Sequence, residues 1–332
     1  MVDRLGDDAC CCPAASGFTR AHSSATMLVS PAAGFVSLFV MEAAIAKAAA
    51  LIEAHQYIRR FQGKIVVVKV GGSIMDDDET LAGMIQDVCF MDAVGMHPII
   101  VHGGGKAITE AMQKNGLEAQ FVRGRRYTDE RTLAIAEHVL VSQINKSIVD
   151  QINTHGHHGM GLHSLASCVV FARQLFLEDE QDASRRIDIG HVGEVEWINA
   201  SLLHALLKAG QIPVIAPISR DSAGGKLNVN ADSVAGHVAV AVKAEKLVLV
   251  SDTHGIRTGD DADNLAHHLT KRQIEKLVGD GTIQGGMLPK VEASFIALEA
   301  GVAKAHIVDG RIKHSLMLEV YTDKGIGTEI VL

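Results

Sequence analysis

The sequence predicts an α/β protein: a mostly parallel sheet with helices on both faces. Three observations carry that expectation. Short β-branched runs alternate with helical patterns, aromatics make up only 4% of residues while glycine occurs 32 times, and the apolar runs repeatedly end at glycine. Scarce aromatics with abundant Ala, Val, Ile and Leu suit alternating strands and helices better than a β-sandwich. Strands buried on both faces also read as continuous apolar runs. At 332 residues the chain can bury a large core, as one large domain or two of ordinary size.

The elements follow in order. Residues 41–62, rich in strong helix formers, read as a helix with Ile45, Leu51, Ile52, Ile58 and Phe61 available to an apolar face. A strand at 65–70 and a helix over 81–94 come next. HPIIVH at 97–102 is a buried strand that stops at Gly103, Gly104 and Gly105. A helix over 107–115 and a short strand near Phe121 lead to a long helix, capped by Thr128 or Asp129 with acids in its first turn. Residues 155–190 are less regular, and 169–177 reads as a strand or hairpin. A helix over 200–209 stops at Gly210, followed by a strand at 212–215, a helix from Asp232 to Ala244 and a strand at 247–251. Helices follow at 270–279 and 289–301, and the tail reads as strands broken by Gly310, Gly325 and Gly327.

Composition excludes some functions. A net charge of −8 gives no general reason to expect nucleic-acid binding. Cys10, Cys11 and Cys12 are adjacent, and Cys89 and Cys168 sit in apolar contexts typical of buried thiols, so a reduced, cytoplasmic compartment is expected. The apolar stretch 27–41 is short, contains Pro31 and two serines, and is too weak for a membrane span. Asp3, Asp7 and Asp8 do not fit a secretory signal. Residues 1–40 are expected to be a disordered extension or to follow a start assigned upstream of Met41.

Several motifs can carry chemistry. Lys69 in VVVKV stands just before Gly71 and Gly72. It is either an edge or snorkelling lysine, or one whose ammonium shares a space with the amides of a glycine turn that admits an anion. HGGGK at 102–106 repeats the layout of strand, glycines and helix, and a helix N-terminus favours anions. Parallel strands bring both turns to one sheet edge, where ligands of open α/β sheets bind. VRGRRYTDE places Arg123, Arg125 and Arg126 before a helix cap, as a solvated basic loop or as a bidentate carboxylate partner. In LNVNADS, Asn228, Asn230 and Asp232 would share one face of an extended segment. They orient a polar substrate, or form an Asx turn with an N-cap at Asp232, or both. GGMLPK puts Lys290 in the first turn of a helix, against its dipole. His155, His157, His158 and His163 match no zinc spacing and read as a solvated loop. The acids at 76–78 read as a solvated helix start.

Together KVGGS at 69–73, VHGGGK at 101–106, RRYTD at 125–129, GHVGEV at 190–195, NVNADSVA at 228–235, SDTHGI at 251–256 and GGMLPKVEA at 285–293 resemble the amino acid kinase superfamily, and within it the N-acetylglutamate kinase family. The motifs run in the family's order over residues 64–332. The resemblance implies a three-layer αβα sandwich around a mostly parallel open sheet, the carbamate kinase-like fold. Residues 64–219 would form the amino-acid-binding lobe and 220–332 the ATP-binding lobe. It implies transfer of the γ-phosphoryl group of ATP, with its Mg2+, to the side-chain carboxylate of N-acetyl-L-glutamate in arginine biosynthesis. Lys69 and Lys290 would stabilise the moving phosphoryl group, with Asp232 holding both lysines. Gly71, Gly72 and Gly103 would donate amides to phosphate, while Gly104, Gly105, Arg126, Asn228 and Asn230 would bind the acetylated amino acid. Ser251, Asp252, Gly255, Gly286 and Met287 would frame the nucleotide, and no protein side chain would hold a metal.

The 41–62 helix, with YIRRF at 57–61, and the tail HSLMLEVYTDKGIGTEIV resemble the arginine-inhibited, hexameric branch, a trimer of dimers with interlaced N-terminal helices. His314, Glu319 and Gly325 would then lie near an arginine site faced by Tyr57, and a nitrogen-signalling regulatory protein joins the expected partners. GLHSLASCVV at 161–170 departs from the family's GLSGKDG-like stretch. RRYTD is also similar to the related kinases acting on carrier-linked aminoadipate or glutamate. A non-catalytic arginine-sensing homologue is the third reading.

Overall fold

The computed structural model describes residues 31–179, 185–258, 264–321 and 325–332; residues 1–30, most of the expected extension, lie outside them. The chain divides into two units, Met1–Ala50 and Leu51–Leu332. The first helix, α1, runs Pro31–Phe61, so it begins upstream of Met41. Tyr57 and Phe61 near its end are buried, whereas Ile45, Leu51 and Ile52 are exposed.

Within the second unit the order is β1 (Ile65–Val70), α2 (Asp78–Ala93), β2 (His97–His102), α3 (Gly105–Lys114) and a small hairpin of β3 (Phe121–Val122) and β4 (Arg125–Arg126). Then come α4 (Glu130–Glu137), a π-helical stretch His138–Asn145, α5 (Lys146–Thr154), β5 (Gly159–Leu162), β6 (Val170–Glu178), β7 (Arg186–Ile198) and α6 (Ala200–Lys208). The rest is β8 (Ile212–Ile215), β9 (Ile218–Arg220), β10 (Lys226–Val229), α7 (Ala231–Ala241), β11 (Lys246–Ser251), β12 (His268–Thr270), α8 (Lys271–Gly279), α9 (Leu288–Glu299), β13 (Lys304–Asp309), α10 (Ser315–Val320) and β14 (Thr328–Val331).

Eight strands form the main sheet in the order β12-β14-β13-β11-β1-β2-β8-β5, parallel at every pairing except β13 with β14. β6, β7, β9 and β10 close on themselves as a separate small barrel. The predicted mostly parallel sheet is thus present, and its central strands are buried on both faces.

Strand alternation sorts the core. Val67, Ile99, Val101, Leu247 and Leu249 pack on one side with α6, α7 and α9. Val66, Val68, Val70, Ile100, Val248 and Val250 pack on the other with α2, α5, α10 and the end of α1. Each such fully buried Val or Ile is worth about 1.5–3 kcal/mol of transfer free energy. The parity has a functional consequence: Lys69 shares the face of Val67, so it points towards α7.

Several local expectations need correction. Asp129, not Thr128, caps α4, accepting from the Thr132 amide at 2.7 Å. α7 is capped by Asn230, which accepts from the Ser233 amide at 3.0 Å, so Asp232 lies in the first turn instead of at the cap. The tail is not all strand: SLMLEV forms α10, whose leading amides at Leu316 and Met317 are held by buried Asp87 of α2. Cys89 is buried as expected, but Cys168 is only half-buried. Asp77 caps α2, while Asp76 reaches Lys106 at 3.0 Å and is not merely solvated. In the histidine-rich loop, His157 pairs with Asp92 at 2.7 Å and His163 Nδ1 accepts from the amides of Leu165 and Ala166.

Candidate active site

β1, β2, β11 and β13 are parallel neighbours, so their carboxyl ends open on one edge. The two glycine turns meet there: a Cβ on Gly72 would lie 3.4 Å from the Gly105 amide nitrogen. Not every glycine amide is available. The Gly71 amide donates to the Val250 carbonyl at 3.0 Å and the Gly103 amide to Val70 at 2.9 Å, tying each turn to the adjoining strand. Neither can donate to phosphate, which corrects the roles carried over for Gly71 and Gly103. The amides of Gly72, Gly104 and Gly105 have no partner among the described residues and form the donor nest. A Cβ on Gly104 would sit 2.7 Å from both Leu140 Cδ2 and Ile144 Cδ1, so those side-chain ends would have to shift.

Lys69 Nζ lies 2.9 Å from Asp232 Oδ1, and both side chains are buried. The contact is an ion pair by distance, with no aligned hydrogen bond to Oδ1. Lys290 does not complete a three-membered bridge. Its Nζ donates to the Gly286 carbonyl at 3.0 Å, although Asp232, Lys69 and Asp252 all act on its charge. Burial lowers its pKa, with Asp232 opposing the shift. Asp232 therefore holds Lys69 directly and Lys290 only through space.

Lys69, Gly72, Gly103, Gly104, Gly105, Arg126, Asn228, Asn230 and Asp232 line one cavity of ≈ 240 Å³. Arg126 is buried there, and its Nη2 donates to the Gly105 carbonyl at 2.8 Å and to Thr109 Oγ1 at 2.7 Å. The Phe121 ring lies 4.8 Å from the guanidinium carbon. No carboxylate among the described residues pairs with it, and burial lowers its pKa. A buried guanidinium without a counter-ion is a built anion site. Asn228 Nδ2 reaches Thr128 Oγ1 at 3.4 Å, leaving its carbonyl oxygen for a ligand, whereas Asn230 lines the cavity while its Oδ1 caps α7.

A second cavity of ≈ 890 Å³ lies beyond β11, lined by Asp252, Gly255, Arg257, Thr282, Ile283, Met287 and Arg311 among others. Ser251 and Gly286 are not in its lining: Ser251 closes β11, buried against Asp252, and Gly286 takes the lysine instead. A third cavity, ≈ 430 Å³, brings together Tyr57, Glu319 and Gly325 with Lys246 and His306. His306 Nδ1 donates to Glu319 Oε1 at 2.5 Å, and Glu319 Oε2 accepts from the Ile326 and Gly327 amides at 2.8 and 3.0 Å. Burial raises the Glu319 pKa, but these bonds and the His306 charge outweigh it and hold it at about 2. His314 is absent from this cavity. It precedes α10 in a left-handed conformation (φ 57°) and pairs instead with Asp87 at 2.7 Å, whereas Glu319 lies near the helix's other end.

Sequence reasoning missed His102, Arg311, Lys246 and His306. His102 is wholly buried beneath the triple glycine: Nδ1 donates to the Gly103 carbonyl at 3.0 Å and Nε2 accepts from Asn145 Nδ2 at 3.1 Å. This pairing assigns the neutral Nδ1–H tautomer. Arg311 had a readable signal, since VDGR after a strand repeats the layout of strand, glycine and cation seen at HGGGK. Among the described residues no group of three or more His, Cys, Asp or Glu could hold a metal ion, and no helix is long and apolar enough to cross a membrane.

An unpaired buried guanidinium, a glycine amide nest and a lysine–aspartate pair at one sheet edge, beside a larger cavity, define a phosphotransferase site. The model of the amino acid kinase family matches residues 64–309, and the chain belongs to that family. Within it, curated relatives over most of the chain include acetylglutamate kinases. That of Methanothrix thermoacetophila is 47% identical over 281 residues, covering 84% of this chain and 96% of its own length. That of Symbiobacterium thermophilum is 43% identical, covering 87% and 98%. Among solved structures, N-acetylglutamate synthase from Neisseria gonorrhoeae superposes with a TM-score of 0.76 at 24% identity, covering 86% of this chain and 63% of that one. Giardia carbamate kinase gives 0.58 at 14% identity, covering 81% and 99%. These two are likenesses of fold, and the carbamate kinase-like architecture is the one expected.

Proposed function

We infer that the protein transfers the γ-phosphoryl group of ATP to the side-chain carboxylate of N-acetyl-L-glutamate, a step of arginine biosynthesis. The observation that carries this is Arg126, buried and without an acid, in the same cavity as Lys69 and the free glycine amides. The acceptor carboxylate is already ionised near neutral pH, so no general base is needed. The chain must instead bring two anions together in line and neutralise the charge spread over the phosphoryl oxygens. Arg126 takes the α-carboxylate, and Asn228 orients the acetamido group. The amides of Gly72, Gly104 and Gly105 face the two reacting anions, and Lys69, aimed by Asp232, stabilises the group in transit. Lys290 approaches from the nucleotide side. The ≈ 890 Å³ cavity is assigned to ATP. Magnesium carried by the nucleotide would supply further charge neutralisation; the N–H nest and the lysines cannot ligate a cation, so its ligands would be phosphate oxygens and water.

The third cavity is assigned to arginine as inhibitor. Glu319, Glu245 and Glu329 suit a guanidinium and an α-amino group, and Lys246, Lys304 and Arg60 suit a carboxylate. The exposed apolar residues of α1 are assigned to contacts between subunits of a cytoplasmic hexamer, and a nitrogen-signalling regulatory protein is proposed as a further partner. Residues 64–219 and 220–332 are proposed as the amino-acid and ATP lobes. A coupled ADP-release assay with free N-acetylglutamate and with carrier-bound substrate, each with and without arginine, tests these assignments. Turnover of the free compound, suppressed by arginine, is expected. Turnover of the carrier-bound compound alone would overturn the substrate assignment, and arginine binding without any turnover would leave a sensor in place of an enzyme.

A further inference from the structure

The strand exit after β13 contributes a cation that none of the site motifs contains. The Gly310 amide donates to the Ser251 carbonyl at 2.9 Å, fastening this loop to the exit of β11, as Gly71 and Gly103 fasten theirs. The next residue, Arg311, is clamped by Asp309: its Nε donates to Oδ1 at 2.9 Å and its Nη2 to Oδ2 at 2.7 Å. The Arg311 backbone amide also donates to Oδ1 at 2.9 Å. The Asp309 side chain is 1% exposed, and His254 Nδ1 stands 2.9 Å from its Oδ2.

The buried Asp309 carboxylate thus has a second nitrogen partner besides Arg311. Arg311 keeps its side chain 55% exposed, lines the ≈ 890 Å³ cavity, and has Nη1 free of hydrogen bonds among the described residues. Its position along the site is also informative. Asp252 lines the same cavity and acts on the charges of both Lys290 and Arg311, so one carboxylate stands near both cations. A polyphosphate joining the transfer lysines to a nucleoside in that cavity would bring anionic oxygens to the same neighbourhood.

We propose that Arg311 contacts the phosphate tail of the nucleotide, with Asp309 as the positioning residue that fixes the guanidinium and leaves Nη1 for the ligand. The proposal rests on the assignment of the cavity to ATP. Its rival is that Arg311 only neutralises Asp309.

Calorimetric titration of the full chain with ATP, ADP and adenosine separates the two. Arg311→Met should weaken ATP and ADP roughly ten- to hundred-fold while leaving adenosine within about two-fold, the range of a charge-assisted hydrogen bond lost. KM for ATP should rise and KM for N-acetylglutamate stay put. Arg311→Lys keeps the charge and loses the fork on Asp309, so it should fall between the two; it carries the comparison if the methionine variant does not fold. Equal weakening of adenosine and ATP, or unchanged ATP affinity in both variants, would overturn the proposal. If the wild-type chain binds no adenine nucleotide at all, the cavity assignment itself falls, a result distinct from a silent Arg311.

Discussion

Lys69 and Arg126 line one cavity but are proposed to meet different charges, and kinetics should tell them apart. In the proposed roles Lys69 stands by the group in transit, whose charge redistributes only as it moves, so Lys69→Met should lower kcat by roughly 10²–10³ with little change in KM. Arg126 is proposed to meet a carboxylate that is charged throughout, so Arg126→Met should raise KM for N-acetylglutamate roughly ten- to hundred-fold. Steady-state kinetics on both variants checks the split; an unchanged kcat for Lys69→Met would remove it from the chemistry. His102 makes a different prediction. Burial lowers its pKa from 6.5 to about 4, against the raising effect of its bond to Gly103. The unfolded chain therefore takes the proton first. The contribution is whole above pH 6.5 and drains as pH falls towards 4, by roughly 3 kcal/mol across the window. Urea unfolding at pH 7.5 and 4.5 should show that loss in the wild type and less of it in His102→Gln. Identical pH dependence would exclude His102 as the cause.

At the scale of elements, α7 carries Asp232 to Lys69, and its depth is set by a glycine. A Cβ on Gly236 would lie 2.9 Å from the Ala293 carbonyl oxygen of α9, a backbone atom that cannot rotate away. Gly236→Ala gains about 1 kcal/mol in helix propensity, yet overpacking costs about 1–3 kcal/mol. Net destabilisation is expected in urea unfolding, with a drop in kcat as Asp232 is displaced; a more stable, fully active variant would show that the helices have slack. The sheet and this helix were legible because the central strands are short, mostly apolar runs, and because glycine directly follows β1, β2 and β13. Lys69, Asp232 and Arg126 were legible too, since local sequence places each beside a turn or cap. α10 was not, because a six-residue helix between glycines has little pattern of its own and is held by Asp87, far away in sequence. For the same reason the sequence did not show that His314 pairs with Asp87, apart from the cavity lined by Tyr57, Glu319 and Gly325. The fate of the Gly71 and Gly103 amides was also hidden, as their acceptors at Val250 and Val70 depend on strand register.

At the scale of the whole molecule, α1 carries apolar residues that no described residue covers. Val40, Met41, Ile45, Leu51 and Ile52 are all exposed on it, the last at 76%. A helix of this length is not held by propensity alone and ordinarily buries an apolar face. Within the second unit only its last turns do so, through Tyr57 and Phe61. Those residues also belong to the wall of the third cavity. Burying the exposed residues against a second copy would thus tie subunit contact to the cavity proposed for arginine. Ile45→Glu together with Ile52→Glu places charges on that face without touching Tyr57, the active-site cavities or the sheet. Light scattering should then report a lower assembly mass than for the wild-type chain. Turnover without arginine should persist, because Lys69, Arg126 and Asp232 line a cavity to which no described residue of α1 contributes, while the response to arginine should weaken. An unchanged assembly mass would mean that this face serves some other contact, and the link between assembly and inhibition would fall with it.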